Sequence, residues 1–118
     1  MKNILIIDDD PNIRRVYSDL LVSEGFGVSA AKSAEEATEL LLREEADLVL
    51  LDINMPDING IIMRDVLHVY NDKLKVIIAS VYPVNQQQRW IARADDYFDK
   101  SQGAEVLLDK VRKVLEAA

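Results

Sequence analysis

The stretch Ile4-Leu5-Ile6-Ile7-Asp8-Asp9-Asp10-Pro11, ILIIDDDP, runs four branched aliphatics straight into three carboxylates and a proline. An aliphatic run without polar alternation suits a strand covered on both faces, and a proline after an acidic residue suits the first turn of a helix. The stretch therefore predicts a buried strand over Asn3 to Ile7 that passes at once into a helix over Asn12 to Glu24, with Asp10 as its cap and Pro11 at its first position. The same alternation continues along the chain. Strand-like runs fall at Gly27 to Ala31, Leu48 to Leu51, Lys75 to Ala79 and Asp96 to Asp99. Helical stretches follow at Ala34 to Glu44, around Gly60 to Tyr70, at Asn85 to Ala92 and at Ala104 to Leu115, with a Ser33/Glu36 capping box and Gly103 ahead of the last. Five strands alternating with five helices predict right-handed crossovers and a parallel sheet with helices on both faces, a doubly wound α/β domain.

The totals agree with one such domain. At 118 residues the chain can bury a core unaided, and 49% hydrophobic with 30% charged residues is a globular balance. The absence of cysteine removes disulfides, thiolate chemistry and cysteine zinc sites, and fits the cytosol. No apolar run approaches a membrane span and no signal pattern precedes the first strand, so neither export nor anchoring is expected. With 14 basic and 21 acidic residues the net charge is -7, which disfavours direct nucleic-acid binding and favours a divalent cation as guest.

In open α/β sheets ligands bind beyond the carboxyl ends of the strands. The residues there are Asp8 and Asp9, Asp52 with Asn54, Ser80 and Lys100. Asp10 has a structural job as a cap, but Asp8 and Asp9 do not. Taken alone, DDDP reads as a capped, solvated turn and Lys100 as a loop charge. Asp52 shifts the balance, because a carboxylate straight after LVLL ends a strand buried on both faces. Clustered carboxylates resist ionising unless cations compensate, and Mg²⁺ takes carboxylate ligands while leaving room for phosphate oxygens. Three carboxylates against a divalent ion and one ammonium sum to zero. Such a carboxylate can act as nucleophile toward a phosphoryl group while metal and lysine neutralise developing charge, and the Ser80 hydroxyl can donate to the same group.

On ILIIDDDP, DLVLLDINMPDINGI (Asp47 to Ile61), VIIAS (Val76 to Ser80) and ADDYFDK (Ala94 to Lys100), in this order and spacing, the chain resembles the receiver (CheY-like) domain of two-component response regulators over essentially its whole length, residues 1–118. The resemblance implies a flavodoxin-like sheet in the order 2-1-3-4-5. It implies Asp52 as phosphoacceptor, Asp8, Asp9, Asp52 and the Asn54 backbone carbonyl as Mg²⁺ ligands, and Lys100 as the lysine that contacts the phosphoryl group. Ser80 becomes the switch hydroxyl and Tyr97 the switch aromatic, with Asn54 and Tyr82 at positions that tune hydrolysis. A histidine kinase or histidine phosphotransfer protein would be the donor. The face of the fourth helix, fifth strand and fifth helix would switch toward an unknown protein target, in a cytoplasmic monomer or weak dimer capable at most of slow self-dephosphorylation.

Two departures carry further expectations. Ser101 replaces the proline that usually follows the lysine; a cis bond there costs ~3 to 4 kcal/mol without proline, and a cis Lys100-Ser101 bond is expected so that Lys100 keeps its place. The span from Ser80 to Lys100 is short for the family, and Arg93 stands where glycine often ends the fourth helix, so that helix is expected to be short and irregularly ended. Trp90 is expected in the core ahead of the alternative, an exposed aromatic beside Ile91 in a partner-binding patch; the last helix is expected to pack an ordinary apolar stripe, and His68 is given no role. The competing functions are a receiver-like interaction module independent of phosphate, a Mg²⁺ phosphohydrolase, and a nucleotide or flavin binder. The hydrolase wants a second carboxylate where Asn54 stands, and no glycine-rich loop follows the first strand. A chain that stops after the fifth helix fits a single-domain regulator or a piece of a longer one.

Overall fold

The structure, a computed structural model, describes residues 1–53, 67, 71–91 and 93–117. Five parallel strands form one sheet in the order β2-β1-β3-β4-β5: β1 (Asn3–Ile7), β2 (Gly27–Ala31), β3 (Leu48–Asp52), β4 (Lys75–Ser80) and β5 (Asp96–Asp99). Among the described residues the helices are α1 (Pro11–Ser23), α2 (Ala34–Arg43), α3 (Val84–Trp90) and α4 (Ala104–Glu116). The helix expected around Gly60 to Tyr70 lies outside the described residues except for Leu67, which is helical and buried. Asn54, the Met55-Pro56 and Gly60 loop, His68 and Ala92 lie outside them as well.

The central strands behave as their composition predicts. Alternate side chains of β1, β3 and β4 enter two separate cores, Leu5, Ile7, Val49, Leu51, Val76 and Ile78 on one face, Ile4, Ile6, Leu48, Leu50 and Ile77 on the other. Two aspartates hold the amino ends of the sheet: Asp47 accepts the Asn3 N–H at 2.7 Å and Asp95 the Val76 N–H at 2.7 Å. Among the described residues no helix is long and apolar enough to cross a membrane.

The turns that aim the sheet's carboxyl edge follow from local chemistry. Asp10 accepts the N–H groups of Asn12 and Ile13, with Pro11 at the first helical position. Glu24, Gly25 and Phe26 close α1, the Gly25 N–H donating to the Val22 carbonyl and that of Phe26 to Leu21, with Gly25 at φ 92, a geometry glycine adopts without penalty. Ser33 caps α2 through the Glu36 N–H, whereas the Glu36 carboxylate reaches the Lys32 N–H, so the box closes one residue early. The apolar stripe of α4 buries Leu107, Leu108, Val111 and Val114 as ordinary core.

The region after β4 departs most from regular structure. As expected, α3 is short; it ends in an extended Ile91, and Arg93 takes the left-handed conformation, φ 69, that a glycine would occupy without strain. Trp90 is not in the core, as the sequence suggested, but 46% exposed. The buried face of α3 is taken by Gln87, and Ile91, four residues on, follows it inward, leaving Trp90 at the rim against Tyr82.

Candidate functional site

The rim at the carboxyl edge gathers side chains from four strands. Asp52 and Ser80 are the last residues of β3 and β4, in register with Ala79 and Asp99 respectively, so strand pairing itself fixes them. Asp8 follows β1 and keeps its N–H on the Ala31 carbonyl at 3.0 Å. Its main-chain carbonyl accepts from Arg14 of α1 at 2.8 Å, and its carboxylate accepts the Asp10 N–H at 2.9 Å. Asp8 and Asp52 are each 3% exposed, while Asp9 is exposed.

Asp8, Asp9 and Asp52 can each present an oxygen within 4.8 Å of the others. Oxygens on opposite sides of an octahedral Mg²⁺ stand roughly 4 Å apart, so a small closure brings this trio to ligand distance. The donor set fits the ion: hard oxygens, three negative charges, and an exposed Asp9 that leaves the site open to water and phosphate. The sequence-predicted fourth ligand, the Asn54 carbonyl, lies outside the described residues.

One cation balances the cluster from within. The Lys100 ammonium donates to Asp8 at 2.7 Å and lies 3.3 Å from Asp52, with its side chain only 12% exposed. Burial alone would push this ammonium's pKa down, but its hydrogen bond to Asp8 and the charges of Asp52 and Asp8 outweigh it and hold it above the ordinary lysine value. The same charges reach Tyr17 of α1, whose phenol sits edge-on to Phe98 at 6.3 Å. Burial raises the Tyr17 pKa, Lys100 opposes this, and Asp8 and Asp52 add to it.

Lys100 reaches these partners across a trans bond. No peptide bond among the described residues is cis, which overturns the expected cis Lys100-Ser101 bond. The reason lies in what serine offers and proline lacks. Lys100–Gln102 form a single 3-10 turn capped by Asp99, which accepts the Ser101 N–H at 2.9 Å and the Ser101 hydroxyl at 2.7 Å, while Gln102 accepts the Asp99 N–H. Proline has no N–H to give. The capped turn delivers the lysine without the cost of a cis bond.

Ser80 is fully buried and its oxygen accepts the Tyr82 N–H at 3.2 Å, a bond that leaves the hydroxyl hydrogen free to donate. Tyr97 points inward and is buried; its hydroxyl donates to the Ile91 carbonyl at 2.6 Å and accepts the Ala94 N–H at 3.3 Å, pinning the irregular end of α3. A groove of about 500 Å³ lined by Leu41, Arg43, Glu45, Asp47, Asn71 and Leu74 lies by the amino ends of the strands and includes none of the rim residues.

The sequence reading missed Arg14, Tyr17 and Asp99. Arg14 was within reach of it, being one turn past Asp10 on the helix that Asp10 caps, whereas Tyr17 carries only the signature of a core aromatic.

The model of the response regulator receiver domain matches residues 4–112. The chain belongs to this family. Receiver domains are parts of two-component systems, and relatives agree over nearly the whole chain. The transcriptional regulatory protein CpxR of Escherichia coli is 31% identical over 116 residues, which are 98% of this chain and 50% of CpxR. This receiver domain thus spans about half the length of such curated relatives. Response regulator TrrA of Thermotoga maritima, solved with Mg²⁺-BeF, is 34% identical with a TM-score of 0.86, covering 97% of this chain and 99% of TrrA. TrrA solved in complex with histidine kinase ThkA gives 34% identity and a TM-score of 0.84, covering 98% of this chain and 100% of that one.

Proposed function

We propose that this receiver domain accepts a phosphoryl group on Asp52 from a phosphohistidine of a histidine kinase or histidine phosphotransfer protein. The observation that carries the reading is a buried carboxylate with two carboxylate neighbours in ligand range and a lysine ammonium 3.3 Å away. An Asp52 oxygen attacks phosphorus; the P–N bond breaks, the imidazole keeps its electron pair and takes up a proton, and an acyl phosphate remains. Asp8, Asp9, Asp52 and the Asn54 carbonyl would hold a Mg²⁺, which when bound would supply Lewis-acid neutralisation of phosphoryl charge. Lys100 already stands where it can pass from the carboxylates to a phosphoryl oxygen. The Mg²⁺-BeF complex of TrrA supports the ion, and the TrrA complex with ThkA supports the class of donor.

In this reading Ser80 donates its hydroxyl to the phosphoryl oxygens and Tyr97 packs inward, repacking the face of α3, β5 and α4 for an unidentified protein target. The inward Tyr97 of this structure is the arrangement that phosphorylation stabilises, a shift between two packings. Water later attacks the acyl phosphate and returns the carboxylate, slowly, with no further catalytic role for the domain. The protein works in the cytoplasm as a monomer or weak dimer and does not bind nucleic acid through this domain. Incubation with Mg²⁺ and acetyl phosphate should add one phosphoryl mass to the intact protein, and Asp52→Asn should abolish it. No uptake, or uptake untouched by that change, would favour a module that works without phosphate.

A further inference from the structure

Helix α3 is poorly equipped to hold itself. It has seven residues, Pro83 at its cap position and no side-chain cap, and helices that short are unstable on their own in water. Contacts with its neighbours must hold it, and at their centre is a residue that no motif singles out.

Gln87 is fully buried. Its carboxamide nitrogen donates to two main-chain carbonyls, that of Tyr82 at 2.7 Å and that of Phe98 at 2.9 Å. Both partners are acceptors, so the amide has one workable orientation; flipped, its oxygen would face two other oxygens. The oxygen Oε1 is left buried and without a hydrogen-bond partner among the described residues. Methionine would fill the same space with no unpaired acceptor of its own, but it would offer nothing to the two carbonyls, so packing alone does not account for the amide.

The two carbonyls explain it better. Tyr82 is the residue whose N–H donates to Ser80, and its ring meets Trp90 edge-on at 4.8 Å and 83° on the exposed side of α3. Phe98 sits on β5 between Tyr97 and Asp99, the latter capping the turn that carries Lys100. One amide therefore joins the turn holding the switch hydroxyl, the strand that leads to the lysine, and the helix whose outer face meets solvent.

We infer that Gln87 is a positioning residue that makes the Ser80–Tyr82 turn, β5 and α3 shift as one body, so that phosphorylation of Asp52 is read out at the Tyr82–Trp90 face. The inference rests on the phosphoacceptor reading above. When Ser80 turns its hydroxyl toward a phosphoryl oxygen, Tyr82 follows through its N–H, and the Tyr82 carbonyl pulls on Gln87. The pull passes to α3 because the other donor bond anchors the amide on β5.

Trp90 is the single tryptophan of the chain and reports on this face directly. With Mg²⁺ and saturating acetyl phosphate, Trp90 emission in the wild type should change in step with occupancy of Asp52, counted by intact mass. In Gln87→Met occupancy should match the wild type while the Trp90 response falls to about half or less. In Gln87→Glu the side chain can donate only when protonated and otherwise repels both carbonyls. Its Trp90 response should therefore shrink as pH rises through a range where the wild-type response stays level. If the methionine variant fails to fold by circular dichroism, the glutamate variant's pH profile decides alone. A full Trp90 response in Gln87→Met, a level profile in Gln87→Glu, or no Trp90 change in a phosphorylated wild type overturns the inference. A wild type that takes up no phosphoryl group overturns the reading beneath it.

Discussion

The hydroxyl of Tyr97 gives a stability prediction that can be worked from the structure. Tyr97→Phe keeps the ring and opens no cavity, so packing against Ile91, Ile78 and Leu74 survives. What goes is the 2.6 Å bond to the Ile91 carbonyl and the longer 3.3 Å bond from the Ala94 N–H. Ile91 is buried, so its carbonyl loses its partner without gaining water; an acceptor stranded this way costs about 1 to 3 kcal/mol. The second bond is long and Ala94 is partly exposed, so it adds only a few tenths of a kcal/mol. The sum is about 2 kcal/mol. A domain this size has a urea dependence of roughly 1 to 3 kcal/mol per molar, so the unfolding midpoint should fall by about 1 M with an unchanged slope. Urea titration followed by far-ultraviolet circular dichroism checks it. A midpoint within about 0.2 M of wild type would show that the hydroxyl carries no net energy and refute the idea that it pins the end of α3.

Arg93→Gly removes a side chain from a left-handed residue, a relief of about 1 kcal/mol partly offset by the greater freedom of glycine when unfolded, so thermal denaturation should find the variant equal to or slightly more stable than wild type. Asp8→Asn should raise stability by about 1 kcal/mol without metal, by thinning like charges around Asp52, yet lose the stabilisation that added Mg²⁺ gives the wild type; calorimetry with and without Mg²⁺ reads both. The carboxyl of Asp99 is held below the ordinary aspartate pKa by the Ser101 hydroxyl and then the Ser101 N–H, so its contribution is present above about pH 4 and lost as pH falls through the lowered value. Carbon-detected NMR titration should place Asp99 below the ordinary aspartate value, and Asp99→Ala should remove the acid step.

Different parts of this molecule were legible to different degrees, for physical reasons. The strands declared themselves because a segment covered on both faces cannot alternate, and Ile4–Ile7, Leu48–Leu51 and Val76–Ala79 do not. The rim followed, since a parallel sheet brings the residues after its strands to one edge wherever they stand in sequence; Asp8 and Lys100 are 92 residues apart and in contact. Helix ends with local caps, Asp10 and Ser33, were equally readable. The misreadings share a cause. Trp90 was expected in the core ahead of an exposed position, but the buried position went to a glutamine whose partners are main-chain carbonyls five residues before it and eleven after. The Lys100-Ser101 bond was assigned by analogy with proline, and the Asp99 cap that makes a trans route workable is set by hydrogen bonds that hydrophobic periodicity does not register.

The contrast between the two halves of the sheet's carboxyl edge bears on how such a domain could switch. Around Asp8 and Asp52 the groups are fixed by strand register, by Arg14 on a main-chain carbonyl and by an ion pair of low exposure; moving any of them breaks several bonds at once. Around α3 the reverse holds. The helix is short and uncapped, its exit is strained at Arg93, and it is held by a few hydrogen bonds from Gln87 and Tyr97, one edge-on aromatic pair at Tyr82 and Trp90, and the inward side chains of Val84 and Ile91. Elements with few cooperative contacts open at low free energy, whereas those woven into the sheet open only with the whole domain. Among the described residues, a charge change at the rigid half therefore finds its soft direction here. That direction runs through Ser80 and Gln87 to the only face in this region that exposes aromatic side chains among the described residues.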